Sequence, residues 1–544
     1  MSPTLFRTAC LSSALAALLG TVFAVVFGKQ PFADPTAHGI YNFYPYTFAR
    51  FEPFSLCAIA GFFLGILLIH QTRSFQWEKI NRLLVSRRLP LVVAIVVLTF
   101  TSIGRFGIHQ NFDLCIDECL NEFEGQILQQ HHLTAEVPQP WIGYRYALEL
   151  PYQIYNGTET KGYWASGFLP GFALLDYGFD QLNLGWFLDP LLAAISLILV
   201  ASLGRRAFPD EGPLVVNIAV LLLACSPQFL FMAMTKFSWT AHLCGTLLWI
   251  WLFTHPNRFL FLLTPILGIF LIGLHQPHVH FLVAAPFILR LLYTFRWRAL
   301  LWFGAWYLLG AWMWYQVLIL LRPSVFGHGG EVANLGFSVM LSVFVMVCHG
   351  LTLYAWTTPL LAPLVIVALW TFPRQPALIQ DSLLASILTF LFYFEVPHLQ
   401  GHGWGYRYMH SVYGCLALAG AGGALVLYRN YKSVPLQKIV VYSLLFSLVL
   451  QIPYRAFEVR TLVRPMARMW DFLASRPTDF VLVQTSSIWY ACDLIRNDPW
   501  LQRKPIIFND DDLTLDQRQA LYQKGSVTTV GPKDVAPLDV IIKK

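Results

Sequence analysis

Residues 113–124 read DLCIDECLNEFE and begin a polar run of about sixty residues, Asp113 to Leu175, that lies between apolar segments. At the helical period, one face of this stretch is an apolar stripe of Ile116, Leu120, Phe123 and Ile127. Asp113, Asp117, Asn121 and Glu124 line up on a second face, with Glu118, Glu122 and Gln129 nearly opposite the stripe. The pattern predicts a helix in the membrane interface with its stripe in lipid and Asp117 at headgroup depth. A solvated acidic face is the alternative.

The composition of the whole chain explains why a membrane interface is expected. Of 544 residues, 56% are hydrophobic and only 12% are charged, with 18 Trp and 43 Phe. Such a chain is too apolar for a soluble protein of this length. The net charge of +7 lies largely in short basic turns between apolar spans, which is typical of the positive-inside rule and excludes a nucleic-acid binder.

The predicted fold class is mainly α: a polytopic transmembrane helical bundle with interfacial helices in its first large outer loop. About 13 spans occupy residues 1–455, and a small extracytoplasmic α/β domain follows at 456–544. The spans are predicted near 5–27, 54–70, 89–104, 186–203, 213–233, 238–254, 259–275, 278–294, 299–320, 355–372, 382–396, 410–428 and 438–453. A partial or re-entrant helix precedes Tyr354, after a loop at 322–336. In the C-terminal domain, strands are predicted at 480–483, 505–508, 527–530 and 540–542, and helices at 487–496 and 515–523.

The basic residues after the second span give the strongest signal of orientation. This turn contains Arg73, Lys79, Arg82, Arg87 and Arg88. The positive-inside rule places the turn, and with it the N-terminus, in the cytoplasm. The third span then delivers the loop at about 105–185 to the outer face, and an odd number of spans leaves the C-terminal domain outside, periplasmic or extracellular.

Several motifs share this predicted outer face. They are Asp117-Glu118, the run from Leu133 to Pro138, the run from Trp164 to Gly171, Ser226-Pro227, His242, Gln276-Pro277, the run from His402 to Tyr408, and Trp489-Tyr490. In this order they resemble the bacterial GT-C membrane glycosyltransferases, specifically the family 39 group of protein mannosyltransferases and the aminoarabinose transferase of lipid A. The resemblance covers about Asp113 to Gly531.

The resemblance implies a bacterial inner-membrane enzyme that transfers a sugar, with inversion, from a polyprenyl-phosphate donor to an extracytoplasmic acceptor. The acceptor is a glycolipid, a polysaccharide or a protein. Such chemistry needs a general base for the acceptor hydroxyl and cations for the departing phosphate. By family position the base is Asp117, with Glu118 orienting substrate or base. Asp113 is the competing candidate because it shares the helix face.

The predicted ligands of the donor phosphate come from four other places in the chain. Arg407, with Tyr408 beside it, stands at the outer end of a span, where a guanidinium can grip phosphate oxygens bidentately; an interfacial anchor is the alternative role. Lys236, His242 and His275 complete the predicted set; a snorkelling lysine and a buried structural histidine are the alternative roles of Lys236 and His242. The family commonly has an arginine where this chain has His275 and Gln276, and a lysine where it has Gly167. These departures point to a different sugar, acceptor or lipid grip, or to a weakly active member.

The sequence indicates no metal site or other cofactor. The run from His275 to His280 contains three histidines, yet it lacks an identifiable fourth ligand and Pro277 disturbs a single helical face. Cys115 and Cys119 lie one helical turn apart, a spacing that rarely permits a disulfide, so reduced packing residues are expected.

Two other functions are compatible with a chain of this kind. A transporter or flippase of a lipid-linked glycan would show intramembrane charges, broken helices in repeated positions or internal symmetry. No internal repeat is visible, and the charges cluster at one face. A glycan polymerase or ligase would usually carry its long outer loop in the second half of the chain.

Overall fold

The fold is a bundle of apolar helices capped at one end by two small sheets. The computed structural model describes residues 3–30, 34, 43–69, 82–151, 153–158, 160–321, 339–395, 400, 402–430 and 436–543. The predictions for Arg73, for Lys79 and for the loop at 322–336 lie outside these ranges. Within them, seven helical segments are long and apolar enough to cross a membrane. The chain is therefore a multi-pass membrane protein of the predicted fold class, while the number of thirteen spans stays a prediction.

Nineteen helices in the described part of the chain are used as landmarks below. The first five are α1 (Pro3–Phe27), α2 (Phe43–Ile69), α3 (Leu89–Gly107), α4 (Ile116–Gln129) and α5 (Gly171–Asp180). The next nine are α6 (Leu188–Ala207), α7 (Pro213–Ala224), α8 (Pro227–Met232), α9 (Ser238–Phe253), α10 (Arg258–Ile272), α11 (Pro277–Tyr293), α12 (Trp297–Leu321), α13 (Val339–Ala355) and α14 (Leu361–Trp370). The last five are α15 (Ala377–Glu395), α16 (Tyr413–Asn430), α17 (Leu436–Phe446), α18 (Ile452–Ala474) and α19 (Leu515–Lys524).

Helix boundaries follow proline chemistry in several places. Pro213, Pro227 and Pro277 each open a helix, where the missing N–H costs nothing and the fixed φ favours the first turn. Because Pro227 starts a new helix after Ser226, the span predicted at 213–233 is two helices, α7 and α8. The crossing predicted at 355–372 is also wrong in extent, since α14 has only ten residues.

The last membrane helix extends further than the sequence suggested. After α17, a π-helical turn at Ser447–Gln451 leads directly into α18, which ends at Ala474. The predicted domain boundary at 455/456 therefore falls inside a continuous helix. The helix persists because Val459, Leu462, Val463, Met466 and Met469 remain buried along one face past Glu458, where polar residues become frequent.

The polar region after α3 contains a sheet that the sequence analysis assigned to a loop. Strands β1 (Ala135–Glu136), β3 (Gly162–Ser166) and β2 (Gln153–Gly157) pair antiparallel in that order. These strands are short and rich in Gln, Tyr and Trp, so they lack a clear alternating pattern. The second interfacial helix, which the apolar run at 164–179 predicts, begins only at Gly171, because residues 164–166 belong to β3.

The C-terminal region is a small α/β unit, as predicted. Strands β4 (Phe480–Val483), β5 (Ile506–Asn509) and β6 (Val527–Val530) form a parallel sheet in the order β5-β4-β6, with α19 in the crossover to β6. The helix predicted at 487–496 is wrong: short 3-10 turns stand there. Residues 540–542 contribute only an isolated bridge, from Ile542 to Ile488.

The two sheets share one apolar core, which fixes the C-terminal unit over the polar region after α3. This core contains Phe123, Ile127, Trp164, Phe480 and Phe508, among others. Trp164 Nε1 also donates to the Pro499 carbonyl at 2.8 Å. As a consequence α4 is covered by protein: Asp117, Glu118, Asn121 and Glu124 are all buried, together with the apolar stripe. The expectation that this stripe faces lipid is wrong, because the C-terminal unit and the neighbouring helices occupy that side.

Candidate functional site

The N-terminus of α4 is held by carboxylates from near and far in the chain. Glu118 accepts hydrogen bonds from the backbone N–H groups of Leu114 and Cys115 at 3.0 and 3.3 Å, and from that of Lys236 at 3.0 Å. Asp493, from the C-terminal unit, accepts from the Ile116 N–H at 3.0 Å. Free N–H groups at a helix start favour such negative partners. This arrangement fixes the first turn of α4, which carries Asp117.

Asp117 is in direct contact with Arg407. Arg407 Nη1 donates to Asp117 Oδ2 at 2.5 Å, and the two side chains are 10% and 12% exposed. The guanidinium also lies 5.4 Å from the Phe237 ring centre and 5.2 Å from that of Tyr408, within range of cation–π attraction. Two residues predicted to act together are thus adjacent and nearly buried.

The segment before α16 presents Arg407 through a backbone that only glycine adopts readily. Gly405 has φ +68°, and a Cβ there would stand 2.2 Å from Gln228 Oε1. Gln228 in turn accepts from the Tyr406 N–H at 2.8 Å and donates to the Tyr406 carbonyl at 2.9 Å. Gln400 Oε1 accepts from the Arg407 N–H at 3.1 Å. The Gly-Trp-Gly-Tyr-Arg run therefore acts as a rigid mount for the arginine.

Asp113, the competing candidate base, is held by a different arginine. Arg105 Nη2 donates to Asp113 Oδ1 at 2.6 Å, and Arg105 also bonds the side chain of Asn111 and the carbonyl of Met234. Although burial alone raises the pKa of Asp113, Arg105 and Lys236 outweigh it and lower the pKa to about 2. Burial, together with the charge of Asp113, raises the pKa of Glu118 to about 7. Asp113 is therefore paired with Arg105 and Glu118 with backbone N–H groups, whereas Asp117 is paired with Arg407.

Lys236 does not join Arg407 in the structure. Its Nζ lies 3.3 Å from Asp176 Oδ2 and 3.8 Å from Asp180 Oδ2, both on α5. Burial alone would lower the pKa of Lys236, but the nearby carboxylates of Asp113 and Asp176 raise it. A phosphate bound by Lys236 would have to compete with these aspartates, and its role in donor binding stays a prediction.

His275 is positioned by contacts with the segment that precedes α5. The Leu169 N–H donates to the His275 carbonyl at 3.2 Å, and the imidazole packs 4.1 Å from the Phe168 ring centre. Burial lowers the pKa of His275 to about 4, and among neighbouring charges Asp117 raises the pKa while Arg407 lowers it. These opposed influences identify both residues as its electrostatic neighbours.

An aromatic group joins the remaining predicted residues. Tyr408 stacks on Tyr393 with ring centres 4.4 Å apart and meets Trp239 edge-on at 5.7 Å. Trp239 also lies 5.9 Å from His242, which is buried in α9 with Nε2 lacking a hydrogen-bond partner among the described residues. The roles assigned to Tyr408 and His242 stay predictions, and the structure places both close to one tryptophan.

Sequence reasoning missed several residues that build this site. Asp493, Gln228 and Gln400 each make hydrogen bonds that position α4 or Arg407, and Asp176 pairs with Lys236. Nothing in the local pattern around Asp493 or Gln400 signals this. Gln228 directly follows Ser226-Pro227, so the resemblance already pointed to its neighbourhood.

Glu124, on the same face of α4 as Asp117 and about two turns further along, provides a pH test of the buried interior. Burial raises its pKa to about 7 from an ordinary value near 4.5, opposed by a hydrogen bond from the Ser166 N–H. Between these pH values the folded chain keeps a proton that the unfolded chain has lost, so stability falls as pH rises and the full penalty applies above pH 7. The shift corresponds to on the order of 3 kcal/mol.

We therefore expect Glu124→Gln to reduce the fall of the unfolding temperature between about pH 5 and pH 8, compared with the unmodified protein, while Glu118 and other buried carboxyl groups keep part of the dependence. Thermal unfolding of the detergent-solubilised protein at both pH values measures this. Glu122→Gln is the matched control, because Glu122 is exposed on the same helix. Parallel pH profiles for Glu124→Gln and the unmodified protein would contradict the assignment.

Among known proteins, the chain matches solved structures only. No family model matches the chain, and no curated protein matches it. The structure is similar to ArnT from Cupriavidus metallidurans bound to undecaprenyl phosphate, with a TM-score of 0.49 and 14% identity over 76% of this chain and 86% of that chain. For the apo form of ArnT from the same organism, the TM-score is 0.47 and the sequence identity is 13%, over 75% of this chain and 84% of that chain. The function of this chain therefore has to be argued from its own site.

Proposed function

We propose that this protein is a membrane glycosyltransferase that transfers a sugar from a polyprenyl-phosphate donor to an extracytoplasmic acceptor. The observation that carries the proposal is the buried contact between the Asp117 carboxylate and the Arg407 guanidinium. One group suits deprotonation of a hydroxyl and the other suits binding of a phosphate. They come from distant parts of the chain, and helix caps and a glycine-rich turn hold them together.

The reaction needs three coupled events. The acceptor hydroxyl loses its proton to Asp117, its oxygen bonds to the anomeric carbon, and the bond from that carbon to the phosphate oxygen breaks. The configuration at the anomeric carbon inverts, and the bonding electrons leave with the polyprenyl phosphate. Arg407 balances the charge that develops on the departing phosphate oxygen, which is where electrostatic stabilisation is most effective.

The ion pair suggests how donor binding prepares the base. With Arg407 on Asp117, part of the carboxylate is occupied by the guanidinium. A donor phosphate competes for the same N–H groups, and the monoanionic phosphodiester of the donor is a strong bidentate partner for arginine. Movement of Arg407 toward the phosphate frees Asp117 to accept the acceptor proton. Donor binding thus frees the Asp117 carboxylate to deprotonate the acceptor hydroxyl.

The other predicted residues receive supporting roles in this proposal. Tyr408 and Phe237 guide the guanidinium by packing against it, and His275, whose pKa responds to both Asp117 and Arg407, is proposed to contact a donor bound there. Lys236 and His242 extend the phosphate site toward α9. Glu118 orients Asp117 by capping the helix that carries it. In the proposed topology this site faces outward from a bacterial inner membrane, with the N-terminus in the cytoplasm.

Charged side chains, the mark of a transporter when they lie inside the bundle, occur in several spans among the described residues, and one fully buried group is centred on Arg455. Arg455 on α18 donates to Glu52 on α2 and to Glu458, each at 2.5 Å, and Glu52 also accepts from Trp356 Nε1. Arg455 contacts both carboxylates of the group, and the contacts tie α2 to α18. Such a closed group fits a structural link better than a moving charge, which favours the transferase over the flippase.

Native mass spectrometry of the full-length protein and a transfer assay test the proposal together. We expect co-purified or added polyprenyl phosphate to bind at one copy per chain, and the donor sugar to form a new glycosidic bond to an acceptor. The contrary result is movement of a lipid-linked glycan from one leaflet of the proteoliposome membrane to the other, with its sugar–phosphate bond intact. That outcome would establish the transporter instead.

A further inference from the structure

Three side chains of metal-binding type meet in the segments that carry Asp117 and Arg407. Cys115 and Glu118 stand at the start of α4, and His402 stands in the segment that leads to α16. All three are buried, with exposed fractions of 1%, 0% and 2%. One ligand atom from each, the cysteine sulfur, a carboxylate oxygen and a ring nitrogen, lies within 4.8 Å of the others.

His402 is the unusual member of this group. Neither of its ring nitrogens has a hydrogen-bond partner among the described residues. Its neighbour His109 is also buried, yet there Nδ1 pairs with the Phe112 carbonyl at 2.8 Å and Nε2 accepts from Trp404 Nε1 at 3.3 Å. A buried imidazole without partners is costly, and an ion bound to a ring nitrogen would remove part of that cost.

The aromatic packing around His402 holds its ring in place. The ring lies nearly parallel to Phe237, with centres 5.6 Å apart, and meets Phe43 and Trp404 edge-on at 4.7 and 5.1 Å. Glu118 is equally fixed, since three backbone N–H groups bind its two oxygens. A carboxylate has about four lone-pair sites, so one remains for a cation. Hydrogen bonds of this kind orient the ligands of metal ions in proteins.

We propose that Cys115, Glu118 and His402 bind a zinc ion. Sulfur, imidazole and carboxylate donors together suit zinc, whereas calcium and magnesium prefer oxygen alone. In a tetrahedral zinc site the ligand atoms stand about 3.3–3.7 Å apart, so side-chain adjustments of about 1 Å complete the geometry. The fourth position is left for water or another ligand.

The place of this site in the fold gives the ion a structural consequence. Asp117 lies between Cys115 and Glu118 in sequence, and Arg407 stands five positions after His402. An ion bound to all three ligands would cross-link the segment that carries Asp117 to the segment that carries Arg407. The inference rests on the ligand group itself and does not depend on sugar transfer.

Metal analysis of the purified full-length protein tests the site directly. After dialysis against metal-free buffer, we expect about one zinc per chain, and at least a tenfold loss of retained zinc in His402→Phe, which keeps the aromatic packing. His410→Phe is the matched control, because His410 is also buried with both ring nitrogens unpartnered among the described residues but lies outside the group. Cys115→Ser and Cys119→Ser form a second matched pair. Cys115→Ser removes a proposed ligand, and its control Cys119→Ser removes another buried thiol one helical turn away.

Cobalt substitution of the unmodified protein provides a readout that does not depend on the folding of any variant. Bound Co²⁺ is expected to show a thiolate-to-cobalt charge-transfer band that zinc displaces. Absence of both zinc and this band in the unmodified protein would overturn the proposal. Full zinc retention in both His402→Phe and Cys115→Ser would overturn it as well, since the ion would then be bound elsewhere.

Discussion

Asp117→Asn is expected to lower the rate of sugar transfer by at least about a hundredfold, because an amide cannot take the proton of the acceptor hydroxyl. Donor binding is expected to be unchanged or tighter, since Arg407 is then released from its carboxylate partner. The measurements are the turnover number in a transfer assay and the occupancy of polyprenyl phosphate by native mass spectrometry. Unchanged turnover would remove Asp117 from the mechanism.

Loss of stability has to be separated from loss of chemistry in this variant. Removing one partner of a buried ion pair leaves the other charge uncompensated, at a cost of about 3 kcal/mol or more. The double variant Asp117→Asn with Arg407→Gln removes both charges, so it is expected to unfold at a higher temperature than Asp117→Asn while remaining inactive. Transfer in the double variant would contradict the assignment of Asp117 as the base.

Asp113→Asn distinguishes the two candidate bases. It also breaks a buried ion pair, with Arg105 instead of Arg407, so it carries a comparable structural cost. If Asp117 is the base, turnover per folded molecule falls far more in Asp117→Asn than in Asp113→Asn. The reverse order would move the base to Asp113.

Arg407→Ala is expected to lower kcat/KM for the donor by about ten- to a hundredfold, because a charge-assisted contact with the phosphate is lost. Arg407→Lys is expected to recover only part of this loss, because a point charge cannot reproduce the planar fork. A titration of donor in the transfer assay measures both effects. An unaltered donor KM and turnover in Arg407→Ala would show that the arginine is only an anchor.

Arg105→Ala provides the matched control for Arg407→Ala. Arg105 is likewise buried, likewise paired with a carboxylate, and located at the end of α3 next to the same helix. Both variants leave an unpaired aspartate and are expected to lose stability. Only Arg407→Ala is expected to change the apparent affinity for the donor, and an equal change in Arg105→Ala would indicate a general structural effect.

Local patterns predicted the elements of this fold where one strong signal dominated. The apolar runs predicted most membrane helices, and the period of 3.6 residues predicted α4 at Ile116–Gln129. Short apolar runs between turn residues predicted β4, β5 and β6. The pattern failed at β2 and β3, whose Gln, Tyr and Trp side chains show no alternation, and at the end of α18, where burial continues beyond the change in polarity.

Burial was the property of the site that the sequence could not provide. A helix with three chemically different faces is expected to contact three different environments, yet protein covers nearly all of the first turns of α4. The C-terminal unit causes this, because Asp493 caps the helix and Trp164 bonds to Pro499. These contacts join segments hundreds of positions apart, and no periodicity within either segment encodes them.

Composition and short-range pattern were enough to establish a membrane protein with a polar, acid-rich region after its third apolar run, because hydrophobic transfer depends on composition along short segments. They also supplied the residue types, a carboxylate and a guanidinium. The packing of the whole chain was needed to show that Asp117 touches Arg407, that Asp113 and Lys236 have other partners, and that Cys115, Glu118 and His402 converge. Contacts between remote segments depend on how all the helices pack, which no single stretch of sequence specifies.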